Sequence, residues 1–472
     1  MSIPNVLADR YASPAMRAIW SPEGKVVAER ELWLAVLEAQ RALGVDVPAE
    51  AVDDYRAVVD DVDLASIAER ERRTRHDVKA RIEEFNALAG HEHVHKGLTS
   101  RDLTENVEQY QVRRSLELVT TKAVAVLARL AARATEYRDL VITGRSHNVP
   151  AQATTLGKRF ATAGDELAHA LGRVEALLAT YPLRGIKGPV GTQQDLLDLV
   201  GDATSVDRLE AAVADHLGFA LVAGSVGQVY PRSLDFEVVT ALAQLASGPA
   251  NLATTIRLMA GADLVTEGFA DGQVGSSAMP HKMNARSSER IAGFQTILRG
   301  HVTMAAGLLG SQWNEGDVSC SVVRRVVLPD ASFAIDGLLE TALTVLDEFG
   351  AYPAVIAREL DTYLPFLATT KLLLAAVKAG AGREEAHAAI KRHAVAAARH
   401  LREDPDGSNP FLDDVAADPS LPLDAADVAA ALGDPASFTG RAGDHVDAFV
   451  AAVAEIVDRH PGAADYEPAP IL

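Results

Sequence analysis

Gly275 to Asn284 reads GSSAMPHKMN, and these ten residues carry two hydroxyls (Ser276, Ser277), an imidazole (His281), an ammonium (Lys282) and a carboxamide (Asn284). Gly268, Gly272 and Gly275 lead into the stretch and permit positive φ, so it reads as a lid that swings against a stiffer helical chain. The apolar-periodic run Ile291 to Leu309 predicts a helix that places Asn284 near its N-terminus, where free N–H groups and the macrodipole favour anions. Acid–base groups on a movable loop beside such a helix end suit chemistry on an anionic small molecule. Residue by residue, the same stretch also reads as turn serines, an N-capping Asn284 and a solvated His281 and Lys282.

Other reactive groups are spread along the chain. His147 stands in GRSHN, read as a loop between two helical runs; its imidazole suits proton transfer near neutral pH, and the plain alternative is a polar surface residue. Arg75, His76 and Asp77 lie on the polar side of a helix running to about Leu88, either as a solvated charged face or with Asp77 holding the imidazole in one tautomer. His91, His93 and His95 alternate and share a face if extended, as metal ligands would, but no second ligand cluster stands at a usual spacing and no metal is expected. Thr99 reads as a helix cap with Asp102 as its partner three residues on. Arg10 and Tyr11, opening RYASPAMRAIWS, read alone as surface.

Elements must hold these groups, and the composition points to helices. Of 472 residues, 48% are hydrophobic but only 5% aromatic, which suits helix packed on helix better than a β-sandwich. Asn106 to about Leu140 runs some 35 residues without Pro or Gly, about 50 Å of helix at 1.5 Å per residue, too long for a small globule to cover. Further runs at Gln152 to Tyr181, Ala203 to Leu217, Leu234 to Ala260, Ile291 to Leu309 and Leu328 to Phe349 complete a central bundle. The expectation is an all-α chain of three mainly helical domains: 1–101 at the entrance, 102–351 as the long-helix bundle, and 352–472 with a solvated acidic linker and a poorly ordered tail. Uncovered apolar surface on the long helices predicts a homotetramer with a shared central bundle. The net charge of −20 argues against nucleic acid, and the single Cys320 points to a reducing compartment. No apolar h-region opens the chain and no apolar run is read as long enough to span a membrane, so a soluble cytoplasmic protein is expected.

Set side by side, the motifs resemble those of a known family. GSSxMPxKxN, matched at all seven fixed positions, is similar to the signature of the fumarase/aspartase superfamily, whose members eliminate fumarate or a related group from a succinyl-bearing substrate. RYASPAMRAIWS and RHDVKA resemble the adenylosuccinate lyase branch, and VHKGLTSRD, GRSHNVPAQATT and SVGQVYPR fall in the family's order. The resemblance implies Ser276 as general base and His147 as general acid. It puts Lys282 and Asn284 where the family contacts the substrate carboxylate and stabilises the intermediate, with Arg75, His76, Asp77, His95, Thr99, Ser100, Gln228, Ser277 and Glu289 also in the substrate pocket. Arg10, Tyr11, Ser321 and Arg325 fall where the family holds the nucleotide phosphate. It implies no cofactor, succinylated nucleotides as substrates, and a site shared between subunits. Rival readings are argininosuccinate lyase or carboxymuconate cycloisomerase types, or a catalytically silent helical tetramer. The chain departs from the pattern at Gly316, where close relatives commonly carry Arg, at Cys320, at Ala285 for the usual Pro, and at Arg290.

Overall fold

The computed structural model describes residues 4–269, 278–404 and 406–469. Short helices open the chain: α1 (Val6–Arg10), α2 (Pro14–Trp20), α3 (Pro22–Ala42), α4 (Ala49–Ala57), α5 (Leu64–Thr74) and α6 (Asp77–Ala89). Asn5, Ser13 and Ser21 cap the first three, and Pro14 and Pro22 stand at first-turn positions, where the missing N–H costs nothing.

The bundle follows: α7 (Ser100–Glu136), strands β1 (Val141–Ser146) and β2 (Val149–Thr155), then α8 (Leu156–Thr180), α9 (Gln194–Val200), α10 (Ala203–His216), α11 (Ser233–Leu245) and α12 (Ser247–Ala260). Beyond these come β3 (Val265–Thr266), α13 (Arg286–Ala306), α14 (Ser321–Glu348) and β4 (Gly350–Ala351), which pairs antiparallel with β3. The bundle is the all-helical fold expected, with only two small strand pairings among the described residues. Val124, Ala125, Val126 and Leu127 are consecutive and all buried, as are Ala331 to Leu343, so the middles of α7 and α14 are covered on every side by this chain's own helices. Exposed apolar residues include Ile297 and Met304 on α13, Leu309 and Trp313 in the connection that follows, and Val322 and Val326 at the start of α14.

Last come α15 (Pro353–Leu367), α16 (Thr369–Lys378), α17 (Arg383–Glu403), α18 (Phe411–Ala417), α19 (Ala425–Leu432) and α20 (Ala442–Arg459). Contrary to the reading of a solvated linker, Phe411, Val415, Leu421, Leu423 and Val428 bury a second core with Leu372 and Ile390. The tail is also tied down as far as it is described: Tyr466 Oη donates to Glu340 at 2.5 Å and the Ala469 N–H at 2.6 Å. Pro353 to Lys378 is, by length and composition, apolar enough to cross a membrane, which the sequence reading passed over. It is two helices that meet at Ala368, and Leu360, Leu364, Leu367 and Leu372 are buried within the protein.

Several helical runs have other boundaries than expected: α13 begins at Arg286 rather than Ile291, and α14 at Ser321 rather than Leu328. The first long run starts at Ser100, because Thr99 and Asp102 form a capping box, with the Asp102 carboxylate accepting the Thr99 N–H at 2.7 Å. Leu234 to Ala260 divides at Ala246 into α11 and α12. Gln152 to Thr155 belong to β2, so the next helix starts only at Leu156, with the Thr155 side chain capping it.

Candidate active site

The N-terminal ends of α6 and α7 meet. His76 caps α6, its Nδ1 accepting the Lys79 N–H at 3.3 Å, which leaves the proton on Nε2, 3.4 Å from Ser100 Oγ. That backbone contact fixes the tautomer, in place of the expected Asp77; the Asp77 carboxylate lies 3.7 Å from Nδ1 and accepts instead from Arg81 at 3.0 Å and from the Val78 N–H at 2.8 Å. Burial raises the Asp77 pKa, but Arg81 and the Val78 N–H outweigh it and the net shift is downward. Arg75, at φ 51°, ends α5 in the left-handed conformation beside them. His95 is turned inward, its Nδ1 accepting from Trp33 Nε1 at 3.1 Å; burial pushes its pKa down to about 4, so it is neutral at physiological pH. His91 pairs with Asp54 at 2.8 Å, so the alternate histidines have separate partners; among the described residues no group of His, Cys, Asp and Glu could hold a metal.

Beneath this corner lies a buried polar network that the sequence reading missed. Asp102 accepts from Arg184 at 2.6 Å and from the Lys187 and Gly188 N–H groups, while Arg184 Nη2 donates to the Gly227 carbonyl at 3.0 Å. Gln228 is held between them: its N–H donates to the Glu315 carbonyl at 2.6 Å and its side-chain amide to the Pro189 carbonyl at 3.4 Å. Glu105 accepts from Arg232 at 2.6 Å, and Arg324 reaches Glu108 at 2.6 Å and Asp235 at 2.8 Å. Asp102, Glu105, Asn106 and Gln109 are fully buried and follow i, i+3, i+4, i+7, so core spacing was the available signal, hidden by their polarity. Arg324 is thus taken up by carboxylates, and its neighbour Arg325 is exposed. Arg101 Nη2 lies 3.4 Å from Ser321 Oγ, bringing Ser321 to the same corner. Gly316 has φ 115°, and a Cβ there would stand 2.5 Å from Val229 Cγ2, so this backbone leaves no room for an arginine.

At the other end of α7, some 55 Å away for 37 residues of helix, lie the remaining groups. His147 and Asn148, at φ 53° and 59°, form the two-residue turn of the β1–β2 hairpin, in place of the expected loop between helices. Arg145 ties that hairpin to Glu359 on α15. Ser276 and Ser277 lie outside the described residues. Lys282, Asn284 and Glu289 line a cavity of ≈ 840 Å³ with His281, Glu267, Tyr352 and Arg257, which approaches Glu289 at 3.8 Å. The N-terminus of α13 is not the open anion site expected beside Asn284. The Glu267 carboxylate already accepts the Ser287 and Ser288 N–H groups, at 2.7 and 2.8 Å. A second cavity, of ≈ 520 Å³, is lined by Arg145 and Asn148 of the hairpin and shares the Arg257 wall with the first.

Arg10 and Tyr11 lie between these ends. Tyr11 packs edge-on against Phe294 with ring centroids 5.1 Å apart, and Arg290 stands 5.5 Å from its ring. A Cβ on Gly337 would stand only 3.0 Å from Tyr11 Cβ. Gly337 is sixteen residues along α14 from Ser321, roughly 24 Å. One chain therefore brings His76, Ser100, Gln228, Ser321 and Arg325 to one corner and the 282–289 stretch with the His147 hairpin to the opposite end, and leaves Arg10 and Tyr11 far from Ser321, beside Arg290 on α13.

Comparison with known proteins places this arrangement. A family model described as "Lyase" matches residues 11–300. The 3-carboxy-cis,cis-muconate lactonizing enzyme of Pseudomonas putida superposes with a TM-score of 0.80 over 96% of this chain and 100% of its own, at 20% identity. A fumarate lyase from Mesorhizobium sp. BNC1 superposes at 0.78 over 94% and 98%, at 21% identity. The family match makes the chain a lyase, and the fold is the fumarase/aspartase helical bundle. Within it, a model of the adenylosuccinate lyase C-terminus matches residues 365–449. The adenylosuccinate lyase of Saccharomyces cerevisiae is 35% identical over 452 residues, 94% of this chain and 93% of its own; that of Methanothermobacter thermautotrophicus is 34% identical over 83% and 87%. The chain belongs to the adenylosuccinate lyase family of C–N lyases.

Proposed function

We infer that this protein eliminates fumarate from adenylosuccinate to leave AMP, and from the succinylated aminoimidazole carboxamide ribotide (SAICAR) to leave AICAR, in purine nucleotide synthesis. The observation that carries the reading is the identity with adenylosuccinate lyases along 94% of the chain. The muconate-type and fumarate lyase neighbours share the bundle at 20–21% identity, which supports the fold and not their reactions.

In this reading Ser276 removes the proton from the carbon next to a succinyl carboxylate, the C–N bond breaks, and the nitrogen takes a proton from His147. Charge gathers on the carboxylate in the transition state, and fixed positive charge must meet it. Lys282 supplies that charge, and Asn284 adds an amide donor. A serine hydroxyl is a weak base in water, so this role requires a dry, electropositive pocket.

The division of the site between the two ends of the bundle supports assembly of each active site from several subunits of a homotetramer. The exposed apolar residues of α13 and the start of α14 suit the shared faces. We place the enzyme in the cytoplasm, in keeping with its single thiol. Wild-type protein should release fumarate from adenylosuccinate, read as ultraviolet absorbance, and none from argininosuccinate. Release from argininosuccinate alone would reverse the assignment.

Arg325, exposed above the buried Arg324, is assigned with Ser321 and Arg10 to the 5′-phosphate. Removing a hydrogen bond between charged groups costs about 1.5 to 3 kcal/mol, so Arg325→Ala should raise KM about tenfold or more. The dephosphorylated analogue should bind wild type as poorly as it binds the variant; equal affinity of wild type for analogue and substrate would remove the phosphate role.

A further inference from the structure

Beside Ser321 and Arg325 stands a cation with no role so far. Arg101 is the second residue of α7, and its Nη2 lies 3.4 Å from Ser321 Oγ across 220 residues of sequence. Its Nη1 donates to Glu105 at 3.1 Å, but Glu105 is already held by Arg232 at 2.6 Å and approached by Arg324 at 3.4 Å. A guanidinium has five N–H donors, and these two contacts use only two of them. The side chain is 17% exposed, so it is largely desolvated yet reaches the surface of the corner. An ion pair with the buried Glu105 alone would not need the guanidinium turned toward Ser321.

The neighbouring candidates for a second cation at Ser321 are excluded by geometry. Arg324 is buried among Glu105, Glu108 and Asp235. Position 316 carries no side chain, and Val229 would block one. Arg101 and Arg325 remain. We propose that Arg101 binds the substrate phosphate directly, pairing with Arg325 across Ser321 in the place that Gly316 cannot fill. The proposal rests on the reading that this corner receives a phosphorylated substrate. Two planar guanidiniums flanking a hydroxyl offer the convergent donors that a phosphate monoester dianion takes.

The test compares wild type with Arg101→Met and Arg101→Lys. For the phosphorylated substrate, Arg101→Met should raise KM about tenfold or more with kcat within about threefold, and the dephosphorylated analogue should be cleaved as by wild type. Competitive inhibition by inorganic phosphate should weaken by a similar factor, with Arg101→Lys recovering part of the loss. Equal damage to both substrates would mean that Arg101 only braces Ser321 through Glu105, and no change in either would leave it a surface residue; both overturn the proposal. If wild type released no fumarate from adenylosuccinate, the functional reading would fall. Calorimetric titration of wild type and Arg101→Met with inorganic phosphate would still decide whether Arg101 holds the anion, unchanged affinity counting against it. Should the Met variant fail to fold, Arg101→Lys and Arg101→Gln carry the same comparison, with thermal melting as the check.

Discussion

Ser276→Ala and His147→Gln should each lower kcat by several orders of magnitude while the substrate still binds. Both groups act in the transition state: one takes the carbon proton, the other gives a proton to the departing nitrogen, and neither is the main anchor of the ground-state substrate. An interaction made only in the transition state lowers kcat and kcat/KM together when it is lost, so KM should change little beside the fall in rate. The two variants should also differ in what restores them. A better leaving nitrogen, already protonated or weakly basic, lessens the need for His147 and leaves the need for Ser276 unchanged. Full activity in either variant would remove that residue from the chemistry.

Much of this was legible in the sequence because helices advertise themselves by period. The run from Asn106 to Leu140 has no Gly or Pro to interrupt it, and the buried positions of α7 extend from Asp102 to Ala134. The hairpin at His147 was not legible, because its turn uses His147 and Asn148 at positive φ where Asn-Gly would have announced it. Charged residues misled for a different reason. Arg184, Arg232 and Arg324 are ordinarily read as solvated, and here each is buried among carboxylates and carbonyls that lie far off in sequence. The same holds for Asp77: a neighbour in sequence suggested a partner for His76, but the helix turn carries its carboxylate round to Arg81, four residues on. The length of α7, nearly all of it legible in the sequence, sets Ser100 and His147 at opposite ends of one subunit.

The resemblance draws His147 and Ser276 of one site from different chains, which makes subunit exchange the most direct measurement of the account. If His147 and Ser276 of one site come from different chains, the two inactive variants complement each other. Mixed in equal amounts and allowed to exchange, they form an intact site wherever the chain donating Ser276 carries the His147→Gln change and the chain donating His147 carries Ser276→Ala. Random assembly meets both conditions in roughly one half times one half, or about a quarter of sites. Subunit exchange is verified independently, by mass or by a label on one variant. After verified exchange the account predicts fumarate release from adenylosuccinate at about a quarter of the wild-type rate, orders of magnitude above either parent. Activity no higher than that of the two parents would contradict a site shared between chains.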